Sequence, residues 1–267
     1  MSNFLDKEEQ SIFNEFIKNG YIIRKTCNVS KLNILQNHLV EHSAKIIDTE
    51  VKSSNEDWLN NIHQIVTVNQ LNDFRLKLIH SINDNTKFRE NYYKVAKTFL
   101  DMIVGNELAM QLRVNLSIQL PNDTSSLLPV HADTWSGDSP FEVVVWIPLV
   151  DCYKTKTMFI LPPDKAKELQ KNFKNKSGQN SQTLFKHIEQ DLIWLKVNYG
   201  ETLIFNQSLP HGNIVNIENE TRWSMNCRFK GIFTPYNDKK LGEFFEPITL
   251  KPLSKLGMNY SLPNLKT

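Results

Sequence analysis

The tripeptide His131-Ala132-Asp133 sets an imidazole and a carboxylate two positions apart. In an extended backbone residues i and i+2 point to the same side, so one short segment can offer both groups to one metal ion. A third ligand must come from elsewhere, and His211, after the run Glu201 to Phe205 and the turn at Pro210, is the best placed. Two histidines and one carboxylate on one side of a metal, with the other side open, form the facial donor set of non-haem Fe(II) sites. Three positions then remain, enough for a bidentate 2-oxoacid and O2. An HxD tripeptide alone is a weak signal, since lone polar pairs at a surface or cap seldom bind metal. Its context strengthens it: it stands just before one buried strand, and a single histidine follows another strand of the same β region. His38, His42, His63 and His80 fall in a helical region and His187 in a polar segment. His38 and His42 are spaced i, i+4, but without an HExxH glutamate or a nearby third ligand they read as an ordinary helix face.

The elements that must position these groups show in the hydrophobic period. Ile12, Phe13, Phe16 and Ile17 recur at helical spacing and stop at Asn19-Gly20, after which Tyr21 to Ile23 reads as a short strand. Ser30 is a candidate cap for a helix carrying Leu32, Leu35 and Leu39. A further helix holds Phe88, Tyr92, Val95, Phe99, Leu100 and Ile103, with Gly105 just past its end. From Met110 to Leu120 apolar and polar residues alternate without a break, which predicts one strand. Phe141 to Leu149 is apolar enough for a strand buried on both faces, and Trp146 within it reads as core. Further strands are predicted at 157–161, 192–197, 202–205, 214–217 and 223–233. The expectation is a mainly β chain with helices (α+β): a double-stranded β-helix, the cupin-like jelly roll, with a helical N-terminal part packed outside. It reads as one domain, with a mostly helical part over 1–108, a jelly-roll core over 109–235, a polar insert at 163–190 and a tail over 236–267. The insert, with a break at Lys176-Ser177-Gly178, is either a lid or a solvated decoration.

Composition narrows the class. Apolar residues make up 40% of 267, enough for one substantial core, and the formal charge is only +2. No lysine or arginine cluster is dense enough to track phosphates, so nucleic acid is not the expected partner. Cys27, Cys152 and Cys227 are far apart and form no CxxC pair, which suits a reducing cytoplasm better than a disulfide framework. The first residues lack a basic-then-apolar leader, and no apolar run is long enough to span a bilayer, so no membrane partner is expected. Oligomeric state is not readable.

The stretches HADTWSGDSPFEVVVWIPLVDC (131–152), TKTMFILPP (155–163), GETLIFNQSLPHGN (200–213) and ETRWSMNCRFKG (220–231) resemble the 2-oxoglutarate/Fe(II) oxygenases, in the branch similar to phytanoyl-CoA dioxygenase. NGYIIRK (19–25) resembles that branch's opening. The resemblance covers residues 8–235 and is specific from Arg113 to Gly231. Within the branch it is nearest to oxygenases found sporadically in carbohydrate-biosynthesis clusters. Where the branch often has PGSH, this chain has Pro162-Pro163-Asp164, a departure at the edge of the pocket.

The resemblance implies His131, Asp133 and His211 as ligands of Fe(II), 2-oxoglutarate as cosubstrate and hydroxylation of a C–H bond by O2. The distal carboxylate of oxoglutarate calls for a fork of parallel donors. Arg222 follows His211 by eleven residues and opens an Arg-x-Ser unit with Ser224, so it is the expected clamp, with Arg228 in reserve. Arg113 and Asn115, on the alternating run from Met110 to Leu120, are further cofactor candidates. Asn226 and Arg228 share the Arg222 face, and with Gln119 and Trp135 they are the expected substrate contacts. On a solvated strand these polar rows would simply meet water; in a jelly roll around a cofactor they line the cavity. The expected substrate is a small polar molecule, a sugar or nucleotide sugar. The alternatives are a cupin-like metalloenzyme that needs no oxoglutarate, and a non-catalytic jelly roll that binds carbohydrate.

Overall fold

The computed structural model describes residues 4–171 and 181–263. The N-terminal part is built of α1 (Lys7–Asn19), α2 (Val29–Ile46), α3 (Asn55–Asn60), α4 (Val68–Asn83) and α5 (Thr86–Ile103), with strand β1 (Tyr21–Lys25) between the first two helices. Gly20 ends α1 at φ 74, a left-handed turn that glycine takes without steric cost. Asn28, not Ser30, caps α2; its side chain accepts the Lys31 amide, and Ser30 bonds to Asn28 instead. Helices α3 and α4 were not expected, although Leu71, Phe74, Leu78 and Ile82 of α4 are all buried.

The β region runs β2 (Leu108–Gln111), β3 (Asn115–Gln119), β4 (Glu142–Pro148), β5 (Phe159–Ile160), β6 (Ile193–Trp194), β7 (Glu201–Asn206), β8 (His211–Gly212), β9 (Arg222–Gly231) and β10 (Phe245–Pro247). The major sheet has the order β1-β7-β4-β9-β2-β10, with β3 also on β9; the minor sheet is β6-β5-β8. These two antiparallel sheets are the jelly roll, wrapped by helices, and helical residues outnumber strand residues, 42% against 20%. Helices α6 (Pro163–Lys171) and α7 (Ser181–Ile188) occupy the polar insert, whose Lys176-Ser177-Gly178 break lies outside the described residues. The tail is more than a tail: β10 pairs with β2, and α8 (Pro252–Met258) follows.

The single strand expected from Met110 to Leu120 is two. Both pieces pair with β9, but Cys227 and Arg228 face four residues, Gln111 to Val114. Two extra residues preserve the alternation, so Met110 and Leu116 stay on one face. Asn83 at the end of α4 closes the gap: its side chain accepts the Val114 amide at 2.9 Å and donates to the Val114 carbonyl at 3.1 Å. No strand forms at 214–217; the pairing residues are His211 and Gly212, earlier in the segment.

Strand β9 shows how the layers divide. Its odd residues, Trp223, Met225, Cys227 and Phe229, are fully buried. They meet the helices: Phe74 lies edge-on to Trp223, Tyr92 stacks with Phe229, and the Trp223 indole donates to the Leu59 carbonyl. Its even residues face the space between the sheets.

Candidate metal centre

His131 and His211 are direct cross-strand partners. Each donates its amide to the other's carbonyl, at 3.0 and 2.8 Å, and the rings lie 4.3 Å apart. Asp133 is held by its amide on the Gln207 carbonyl, at 3.0 Å. One ligand atom from each of the three residues lies within 4.8 Å of the others, the one such cluster among the described residues. The HxD tripeptide and the distant histidine therefore converge as their types suggested.

The tautomers are set locally. His131 Nδ1 lies 2.8 Å from the Pro129 carbonyl, and His211 Nδ1 2.8 Å from that of Leu209. With Nδ1–H donating, each Nε2 lone pair is free for a metal. Burial, then the neighbouring His131, pushes the His211 imidazole down to about 4, so it is neutral as a ligand must be. The space at Gly212 is already taken: a Cβ there would meet the Leu128 carbonyl at 2.7 Å and the Phe159 ring at 2.9 Å.

The triad opens on a cavity of about 480 Å³ between the sheets. Its wall includes Asn115 and Ser117 of β3, Val144 and Trp146 of β4, Phe205 of β7, and Arg222, Ser224, Asn226 and Arg228 of β9. The even face of β9 thus turns inward. Asn115 donates to Asn226 at 2.9 Å across the strands.

The two arginines on this face differ in their partners. Arg228 reaches Asp133 at 2.9 Å, Asp138 at 3.4 Å and the Gln207 side chain at 3.0 Å. It is a buttress behind a candidate metal ligand, and those carboxylates hold its charge firmly. Arg222 is 3% exposed and has no carboxylate within ion-pair range among the described residues. It donates to the Thr157 carbonyl at 3.1 Å and to Ser117 Oγ at 2.8 Å, while its Nε and Ser224 Oγ are buried without a partner. Desolvation pulls its pKa down to about 10, the mark of a cation that lacks a counter-charge.

Other expected contacts fall elsewhere. Arg113 sits in the strand break and is exposed. Gln119 is buried and donates to the Ile214 carbonyl at 2.7 Å, away from the cavity wall. Trp135 is 36% exposed on the turn after Asp133 and does not line the cavity; Trp146, expected in the core, does. Sequence reading also missed Arg75 of α4 and the loop 125–128, which complete the rim. The period of α4 could have signalled the helix, but nothing local shows that Arg75 reaches this cavity.

No family model and no curated protein matches the chain. Solved structures do. The chain is 13% identical to the non-haem alpha-ketoglutarate-dependent carbocyclase SnoK from nogalamycin biosynthesis, with a TM-score of 0.56 over 92% of this chain and 97% of that one. HygX from Streptomyces hygroscopicus, with nickel and 2-oxoglutarate bound, is 11% identical, with a TM-score of 0.51 over 89% and 90%. EctD from S. alaskensis in its apoform is 12% identical, with a TM-score of 0.51 over 88% and 81%. At such identities the likeness is one of architecture, and it extends along nearly the whole chain. The jelly-roll core with outer helices is a fold this chain shares with non-haem, 2-oxoglutarate-dependent enzymes.

Proposed function

We propose that this chain is a non-haem Fe(II)/2-oxoglutarate-dependent oxygenase acting on a small polar, sugar-derived molecule. The observation that carries the reading is Arg222: a buried, unpaired guanidinium, beside the unpartnered Ser224 hydroxyl, in the same cavity as His131, Asp133 and His211. A buried lone cation is costly unless a ligand completes it. A dicarboxylate that chelates the metal at one end and meets Arg222 at the other would do so. A metalloenzyme without oxoglutarate needs no such cation, and a carbohydrate-binding module needs no triad. Nickel and 2-oxoglutarate in HygX support the same pairing here.

The donor set fits the metal: two neutral imidazoles and one carboxylate suit Fe(II) and leave positions open. Bound there with oxoglutarate, iron would supply O2-driven oxidation of a substrate C–H bond, with release of succinate and CO2. The chain's own work is positional. Backbone carbonyls orient both imidazoles, Arg228 holds the Asp133 carboxylate, and Arg222 with Ser117 and Ser224 forms the anion end. The polar wall of Asn115 and Asn226 favours a hydroxylated substrate, since an acyl chain would leave their remaining donors and acceptors unmet, at about 1–3 kcal/mol for each group. Trp146, which lines the cavity, takes the substrate contact first expected of Trp135.

Anaerobic titration with Fe(II) and oxoglutarate tests the cofactor assignment. A weak visible charge-transfer band should need both components, and its absence would sink the oxygenase reading. Succinate release should then rise with nucleotide sugars or aminocyclitols. Stimulation by acyl thioesters alone would overturn the substrate class.

A further inference from the structure

The cavity wall holds three arginines, Arg75, Arg222 and Arg228, and one carboxylate, Asp133. Arg228 is engaged by Asp133 and Asp138, and Arg222 faces the anion end assigned to oxoglutarate. Arg75 is left over. It is half-buried on α4, and the bond it makes is to Asn72 Oδ1 of its own helix, at 3.0 Å. No carboxylate lies within ion-pair range of it among the described residues. Ser125 and Ser126 line the cavity with it. Asp123, itself buried, accepts the Ser125 amide at 2.7 Å and lies within electrostatic reach of Arg75. The Ser125 and Ser126 side chains also bond to this carboxylate, which bears on Arg75 electrostatically without pairing with the guanidinium.

Both sides of this arrangement are fixed. Phe74, next to Arg75, packs edge-on to Trp223 at 6.1 Å, and Asn83 anchors the helix end to Val114. The turn is pinned to the metal strand by the Leu128 amide on Asn213 Oδ1, at 2.6 Å, and the Asn213 amide on the Leu128 carbonyl, at 2.9 Å. A fixed cation at the cavity wall, with two serines beside it, suits an oxyanion, because the guanidinium itself requires no reordering on binding.

We infer that Arg75, Ser125 and Ser126 form a subsite for an anionic oxygen group of the substrate, a phosphoryl or a carboxylate. The inference rests on the oxygenase reading for the cavity's role, and it narrows the sugar-derived class to molecules that carry a negative group.

The test uses the full chain loaded anaerobically with Fe(II) and oxoglutarate, so that Arg222 is occupied. Calorimetric titrations follow with inorganic phosphate, acetate and, as a neutral control, glycerol, for the wild type, Arg75→Gln and Arg75→Lys. Saturable anion binding is expected in the wild type, at least about tenfold weaker in Arg75→Gln, as loss of one charge-assisted contact implies. Arg75→Lys should fall between them, and glycerol should not bind. Preference for phosphate over acetate would identify a phosphoryl group, and the reverse a carboxylate. Equal anion binding by wild type and Arg75→Gln, or none by the wild type, would overturn the subsite. The visible band on the same samples keeps the two ideas apart: without it the oxygenase reading fails, while the Arg75 comparison still decides anion binding.

Discussion

Each histidine of the candidate triad directs Nδ1 to a carbonyl two residues upstream, so the backbone leaves Nε2 free for a metal. Among the described residues no other side chain stands ready to replace a ring. His131→Ala, His211→Ala and Asp133→Ala should each leave two ligands and abolish stoichiometric iron loading, read as metal content after anaerobic reconstitution. Stoichiometric iron in either histidine variant would end the triad assignment. The two arginines of β9 should separate cleanly. Arg222→Ala is expected to raise the apparent KM for oxoglutarate by about ten- to a thousandfold, from a penalty of roughly 2–4 kcal/mol for an unpaired charge. Arg222→Lys should recover part of that, since a point charge cannot make the planar fork. Arg228→Ala should instead weaken iron about 10–100-fold, because it releases a ligand carboxylate from its support. If Arg228→Ala gives the oxoglutarate effect and Arg222→Ala does not, the roles are reversed.

Strand β9 is the element on which the rest converges. It pairs with β4 along one edge and with both β2 and β3 along the other, and its faces divide between helices and cavity. The split between β2 and β3 leaves the Val114 amide and carbonyl without a strand partner, and Asn83 takes both with side-chain bonds. Asn83→Ala should therefore cost about 1–3 kcal/mol, seen as a lower urea midpoint at unchanged m-value. An unaltered midpoint would mean that the break is held by other contacts. Because α4 also carries Arg75, the same variant should weaken anion binding at the cavity rim.

Helices and sheets share one hydrophobic cluster that runs from Ile12 to Phe229. Polar ties cross the layers as well: Trp223 to the Leu59 carbonyl, Tyr92 to the Val145 carbonyl, and Lys156 to Asn60 at 2.6 Å and Glu220 at 2.7 Å. Such coupling predicts one unfolding transition, with tryptophan fluorescence and far-UV circular dichroism coinciding in urea. Two separated transitions would show that the helical part unfolds independently. The Lys156 ammonium, fully buried, holds the Glu220 carboxyl below the usual glutamate range. A depressed folded pKa stabilises above the unfolded value and is lost as pH falls through the folded one. The midpoint gap between wild type and Glu220→Gln should thus be constant above pH ~4.5 and shrink below it. A gap that stays constant to pH 3 would refute the linkage.

The sequence by itself determined the donor types at 131, 133 and 211, the apolar strand at 142–148 and the two-residue period of β9. These are local properties: residue type is explicit, and a strand's period depends on neighbours two positions away. Tertiary structure alone decided which polar row faces the cavity. Arg113 and Asn115 belong to one alternating run, yet the first is exposed and the second lines the wall, because Arg113 sits in the unpaired break and Asn115 begins the paired strand β3. Arg222 and Arg228 share a strand face and cannot be ranked by spacing; Asp133 and Asp138, from another segment, neutralise one and leave the other bare. Trp146 lines the cavity from β4, while Trp135 lies on a turn that does not reach it. Arg75 joins the site only because α4 packs beside β3. In each case the deciding contact is made by residues remote in the chain, and no window of sequence contains both partners.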